Sequence, residues 1–170
     1  LKMHAEKIEA SFRNKVVISV IKGIVADDNI TITEYLKSKF RLEDYQVATL
    51  SGPSHAEEVA YERLTYLTVG CKDDDIAEEL ADFFGNYYVH TTTSQDIIGI
   101  QYAGVLKNIY AIASGIIGGL KYGDNFHAVL TANAIREMNN FISKLAPMPD
   151  RQIVESVYTG DLLVTSYSKF

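Results

Sequence analysis

The sequence predicts an α/β unit followed by an all-α unit, on three observations. β-Branched runs of strand length alternate with amphipathic stretches as far as about residue 93; only helical spacing follows from about Ser94; and 170 residues with 47% hydrophobic and 22% charged content suit one or two compact globular domains. That composition excludes disorder, collagen and a coiled-coil rod. In order, residues 15–21 (KVVISVI) form a strand, 31–40 a short amphipathic helix and 45–50 (YQVATL) a second strand. After a turn at 51–53, residues 54–63 read as helix, 64–71 as strand, 74–84 as helix and 87–92 as the last strand. This rhythm predicts parallel strands. A helix then covers the apolar stretch 97–120, and a second runs over 125–145 with Val129, Ala132, Ile135, Met138 and Ile142 at helical spacing. Pro147 and Pro149 end it, and 151–157 reads as another short helix. The domains are therefore placed at 1–93 and 94–170.

Sixteen Lys and Arg against 22 Asp and Glu give a net charge of −6, which provides no basic surface for a nucleic-acid backbone. Any bound anion should be small. One cysteine, Cys71, excludes an intramolecular disulfide, and no stretch resembles a secretory leader, so the expected compartment is the cytoplasm. Residues 97–120 hold one charge, Lys107, which would cost roughly 2.5–3.5 kcal/mol in hydrocarbon. Five glycines weaken the segment further as a span. It is read as a helix buried in protein, not as an integral membrane segment.

Lys107 is the most informative position. A lysine in a buried helix faces a cavity or a partner, and desolvation lowers its pKa toward the range where it exchanges protons near neutral pH, as a general base for an alcohol requires. The alternative is a lysine that snorkels out or pairs with an acid on a neighbouring helix. Asn108 beside it could bond a substrate oxygen or merely satisfy backbone. Lys22 follows the carboxyl end of the first strand, where open α/β sheets bind ligands, and suits a phosphate unless it is a solvated loop lysine. In 51–57 (SGPSHAE), Ser54 and Glu57 match a capping box, while the same helix start suits a phosphate. Asp161 could bond a substrate hydroxyl or cap a helix. The turn at Gly123, Asp124 and Asn125 is accounted for by N-capping. His4, His55, His90 and His127 lack metal-ligand spacing, so no metal is expected, and no nucleophile elbow is present.

Taken together, IKGI at 21–24, SGPSHAEEV at 51–59, GVLKNIYAIASGI at 104–116, YGDN at 122–125 and GDLLVTSYS at 160–168 resemble the NAD(P)-dependent glycerol-3-phosphate dehydrogenase family, in order and nearly along the full chain. The resemblance implies hydride transfer between sn-glycerol 3-phosphate and dihydroxyacetone phosphate with NAD or NADP as cofactor, supplying glycerol 3-phosphate for phospholipid synthesis. It implies part of a Rossmann-like dinucleotide-binding domain joined to the start of a helical catalytic domain, with a second copy of the chain as a partner. By the same resemblance Lys107 is the proton acceptor and Lys22 contacts substrate and cofactor. Gly52 and Ser54 match substrate-contacting positions, Ala56 a cofactor-contacting one and Asp161 a substrate-binding aspartate.

Two departures accompany it. No two of the eleven glycines are separated by a single residue, so the family's GxGxxG loop is absent. The Ser-Arg-Asn triplet whose arginine would hold the substrate phosphate is not reached either. The chain is therefore expected to be the middle of a longer enzyme and to bind dinucleotide poorly alone. Two other readings remain: a lysine-based dehydrogenase for another hydroxy substrate, distinguished by phosphate dependence, and a non-catalytic helical oligomerisation module, in which Lys107 would titrate as an ordinary lysine.

Overall fold

The computed structural model describes residues 1–7, 12 and 14–167. A short helix, α1 (Lys2–Ala5), precedes the first strand, β1 (Val17–Ser19). A small antiparallel hairpin of β2 (Ile24–Val25) and β3 (Ile30–Thr31), absent from the sequence expectation, leads into α2 (Ile32–Phe40). Thr31 caps α2 in a full capping box with Glu34. The remaining sheet strands are β4 (Val47–Ser51), β5 (Thr65–Cys71) and β6 (Val89–Ser94), with α3 (Ala56–Ala60) and α4 (Asp74–Phe84) between them. Asp73 caps α4 by accepting the Ile76 N–H, and α4 occupies the residues its periodicity predicts.

Sheet order is β1-β4-β5-β6. β1 with β4 and β5 with β6 are parallel, but β4 and β5 run antiparallel, with Ser51 opposite Thr68, so the sheet is mixed where parallel strands were expected. The cause lies in the connection. Residues 54–63 were expected to be a helix long enough for a crossover, but α3 has only five residues, about 7.5 Å of helix, and the chain turns back instead. The first strand is also shorter than expected, since Val20 and Ile21 are exposed.

From residue 97 the structure is helical: α5 (Ile97–Gly119), α6 (Asp124–Leu145), a five-residue π turn (Ser156–Gly160) and α7 (Asp161–Tyr167). The helix expected over 151–157 is replaced by turns and the start of this π turn. Ile100, Ala103, Ala134, Met138, Ile142, Val157, Tyr158 and Leu162 form the helical core. Fully burying an aliphatic side chain such as Ile142 contributes about 1.5–3 kcal/mol. The sheet packs on α4 through Ala48, Val69, Cys71, Ala77 and Ala81.

The apolar helix α5 is buried only along its first half and one face of the second. Ile109, Ile112, Ile116 and Leu120, spaced three or four apart, form an exposed row, contrary to the expectation of burial all round. Among the described residues, no helix is long and apolar enough to cross a membrane.

Candidate active site

Three segments distant in sequence meet at one carboxylate. β1 ends so that the following loop lays Lys22 against Gly104 of α5; α5 carries Lys107 toward α7; and α7 begins at Asp161. Lys107 Nζ donates to Asp161 Oδ1 at 2.6 Å and to Thr165 Oγ1 at 3.1 Å. Lys22 Nζ donates to the other oxygen, Oδ2, at 2.8 Å and to the carbonyl of Gly52 at 3.2 Å. Asp161 and Lys107 are 2% and 6% exposed, so this pairing is made away from water.

Lys107 is thus not an unpaired lysine. The pairing with an acid on a neighbouring helix is what the structure holds, and it serves a functional role as readily as a structural one. Burial lowers the Lys107 pKa from 10.5 to about 8; Asp161 opposes the shift and the Lys22 ammonium adds to it. The amine therefore changes protonation close to neutral pH, which a general acid and base requires.

Geometry adds a constraint. An ammonium has three N–H donors, and two of those on Lys107 are committed to Asp161 and Thr165. Thr165 spends its own proton on the Asp161 backbone carbonyl at 2.7 Å, so its oxygen faces Lys107 as an acceptor. With two tetrahedral directions fixed, the remaining one holds an N–H when the lysine is charged and a lone pair when it is neutral.

An open cavity of about 480 Å³ begins beside Thr165, lined also by His55, Ala111, Ser114, His127 and Tyr167. Ser114 Oγ and His127 Nε2 share a hydrogen bond of 2.6 Å across its wall. By contrast, the cleft between Lys22, residues 49–51 and Gly104 has no space for even a water-sized guest.

The other expected positions differ in burial. Gly52 is buried and supplies the carbonyl held by Lys22. Ser54 and Ala56 are exposed, and Asn108 is exposed on α5 beside Lys107. The expected capping box of Ser54 and Glu57 is not formed: Ser54 donates to the Gly52 carbonyl, and His55, not Ser54, is the N-cap of α3. Glu57 and Glu58 occupy the first turn of α3, and their charge opposes the phosphate expected at that helix start. Sequence reasoning missed Thr165. Its signal was the four-residue spacing from Asp161, which puts both side chains on one face of a helix. Ser168, the end of the last sequence block, lies outside the described residues. Among the described residues, no group of three or more His, Cys, Asp or Glu is arranged to hold a metal.

Gly52 is required by its backbone. Its φ is +146°, and a Cβ there would lie 2.2 Å from the Tyr66 carbonyl oxygen. Gly52→Ala should therefore cost about 2–4 kcal/mol in stability through strain and overlap, read as a lower urea midpoint.

Two family models match this chain. Residues 1–77 match the family model for the NAD-dependent glycerol-3-phosphate dehydrogenase N-terminus, and residues 96–170 match that for its C-terminus. A glycerol-3-phosphate dehydrogenase (NAD(P)+) of Lysinibacillus sphaericus is 39% identical over 167 residues, covering 96% of this chain and 48% of the relative. One from Staphylococcus epidermidis is 37% identical over 155 residues, covering 91% and 46%. The crystal structure of glycerol-3-phosphate dehydrogenase from Coxiella burnetii superposes with a TM-score of 0.85 at 26% identity, over 98% of this chain and 49% of that one. The chain spans about half the length of the curated relatives it matches.

Proposed function

Because the chain belongs to the NAD-dependent glycerol-3-phosphate dehydrogenase family, we propose that the whole protein interconverts sn-glycerol 3-phosphate and dihydroxyacetone phosphate by hydride transfer with NAD or NADP. The observation that carries this reading is the buried Lys107, held between Asp161 and Thr165 where three distant segments meet.

Lys107 is the proton acceptor in alcohol oxidation and the donor in ketone reduction. When Lys107 is neutral, Lys22 and Asp161 together carry no net charge; when it accepts the proton, the cluster becomes +1. Asp161 stabilises the new ammonium, and burial with Lys22 keeps it from being too stable to give the proton back. Thr165 helps fix the amine by accepting from it while donating to the Asp161 backbone carbonyl. Lys22 also stands at the carboxyl edge of β1 with its side chain 28% exposed, where its charge can attract a phosphate-bearing substrate.

The nicotinamide cofactor supplies or removes hydride at the substrate carbon. Lys22 and Ala56 are the residues of this chain that would face it, and a cationic, partly exposed lysine at a strand's carboxyl edge fits a phosphate-rich dinucleotide. The glycine-rich pyrophosphate turn is not among these residues. In this reading residues 1–93 are the later part of a Rossmann-like domain and 94–170 the first part of the catalytic helical domain. Gly52, Ser54 and Asn108 border the substrate. A cytoplasmic homodimer supplying glycerol 3-phosphate for phospholipid synthesis completes the reading.

The test is oxidation of NADH and NADPH by the whole protein with dihydroxyacetone phosphate, beside unphosphorylated dihydroxyacetone. Turnover that depends on the phosphate is expected. Equal turnover of both ketones would favour another hydroxy substrate, and no turnover with either would remove the reading.

A further inference from the structure

A second buried polar cluster lies at the other end of α5, and the proton-transfer scheme does not use it. Asp96, 5% exposed, is the N-cap of α5, and its Oδ1 accepts the Gly99 N–H at 3.1 Å. The same carboxylate accepts Arg151 Nη2 on Oδ1 at 2.9 Å, Arg151 Nε on Oδ2 at 2.6 Å and the Tyr158 hydroxyl on Oδ2 at 2.7 Å. Its four acceptor sites are all used. Arg151 Nη2 also donates to the Ala146 carbonyl at 2.7 Å, which ties the cluster to the end of α6. The carboxylate lies directly over the first turn of α5, where a Cβ on Gly99 would come within 2.0 Å of it.

Tyr158 belongs to the π turn, three residues before Asp161. The N–H groups of Tyr158, Thr159 and Gly160 all bond the Glu155 carbonyl, at 3.1, 3.1 and 3.4 Å, so one acceptor is shared three ways and the regular ladder of an α-helix is missing. Within the turn itself the Thr159 hydroxyl donates to the Ile153 carbonyl at 2.6 Å, and Val157 is buried in the helical core. The Tyr158 hydroxyl supplies a fixed point on α5, and α7 starts from that turn with Asp161 as its first residue. The same two segments thus meet twice: Asp96 with Tyr158, and Lys107 with Asp161. About 16 Å of helix separates the backbones of Asp96 and Lys107, so the first meeting touches no reacting atom.

We propose that Tyr158 and Arg151 are positioning residues, which act through Asp96 to hold the π turn in the rotation that presents Asp161 to Lys107. The inference rests on the proton-transfer role given to Lys107 above. Without the hydroxyl, the turn and the start of α7 relax, and Asp161 is held less closely against the amine. The charged groups facing Lys107 are Asp161 from α7 and Lys22 from the loop after β1. Weakening the first leaves burial and the second, both of which disfavour the ammonium.

The experiment is an NMR titration of the Lys107 13Cε resonance, identified by its loss in Lys107→Met. In Tyr158→Phe, which keeps the buried ring, the Lys107 midpoint should fall by about 0.5 pH unit or more, and in Arg151→Lys it should move the same way. Ile32→Val, a change in the separate core that Ile32 forms with Val25 and Leu36, lowers stability and should leave it in place. Folded Tyr158→Phe or Arg151→Lys with a midpoint within about 0.2 unit of wild type would overturn the proposal, whatever their melting temperatures. The midpoint is read without substrate. Absence of turnover in the whole protein therefore counts against the dehydrogenase reading alone, and an unmoved midpoint counts against the positioning role alone.

Discussion

Lys107→Met should lower kcat of the whole protein by about 10²–10⁴-fold with dihydroxyacetone phosphate, the range that a positioned general acid or base supplies. Methionine keeps an unbranched apolar stem in the buried slot, so the loss isolates the amine. Kinetics alone would not show that the amine titrates as burial predicts, but stability against pH does. The folded-state pKa of about 8 lies below the ordinary 10.5, so between those values the unfolded chain binds more protons than the folded one. Buried charge on Lys107 thus disfavours folding fully below pH 8, and the penalty is relieved as pH rises toward 10.5. The variant lacks that relief. Wild-type stability minus that of Lys107→Met should increase by up to about 1.4 kcal/mol per pH unit across this window, measured by urea unfolding. A difference that stays flat from pH 7 to 10 would show that Lys107 titrates as an exposed lysine, and full activity in the variant would remove it from the reaction.

What the sequence disclosed follows from which interactions are local. α4 is legible to the residue because its cap, Asp73, and its apolar face lie within one stretch, and α2 is similarly marked by Thr31 and Glu34. The direction of β5 is not legible, because it depends on whether residues 52–64 cross over the sheet or turn back, and an acidic stretch of that length suits either. Lys107 stands out as a lone charge in an apolar run, and that signal is local too. Its partners are not: Asp161 lies 54 residues away and Thr165 58. The Asp96 cluster is further from sight, since Arg151 and Tyr158 reach it across 55 and 62 residues from a region that reads as short helix and folds as turns. The exposed row on α5 shows the same limit from the other side. Apolar periodicity marks a face that requires cover without naming what covers it.

Asp161→Asn should be the most damaging conservative substitution in the site, with a loss of about 3–5 kcal/mol in unfolding free energy at pH 7. Asparagine fills the same space, but the single negative charge between Lys22 and Lys107 is gone, and two ammoniums then share a site that is largely closed to water. Lys107 responds by releasing its proton more readily, because its one opposing influence against burial and Lys22 has been removed. Activity should fall about 10²-fold or more in both directions, since the same nitrogen must hold the proton in one and deliver it in the other. Adding Lys107→Met to Asp161→Asn separates charge from packing. If the loss arises from uncompensated positive charge, the double variant is more stable than the sum of the two single effects predicts, because neutralising both partners removes the repulsion that the asparagine exposed. Strict additivity would instead mean that Asp161 stabilises the fold through contacts other than the two lysines, and the charge account of this site would then fail.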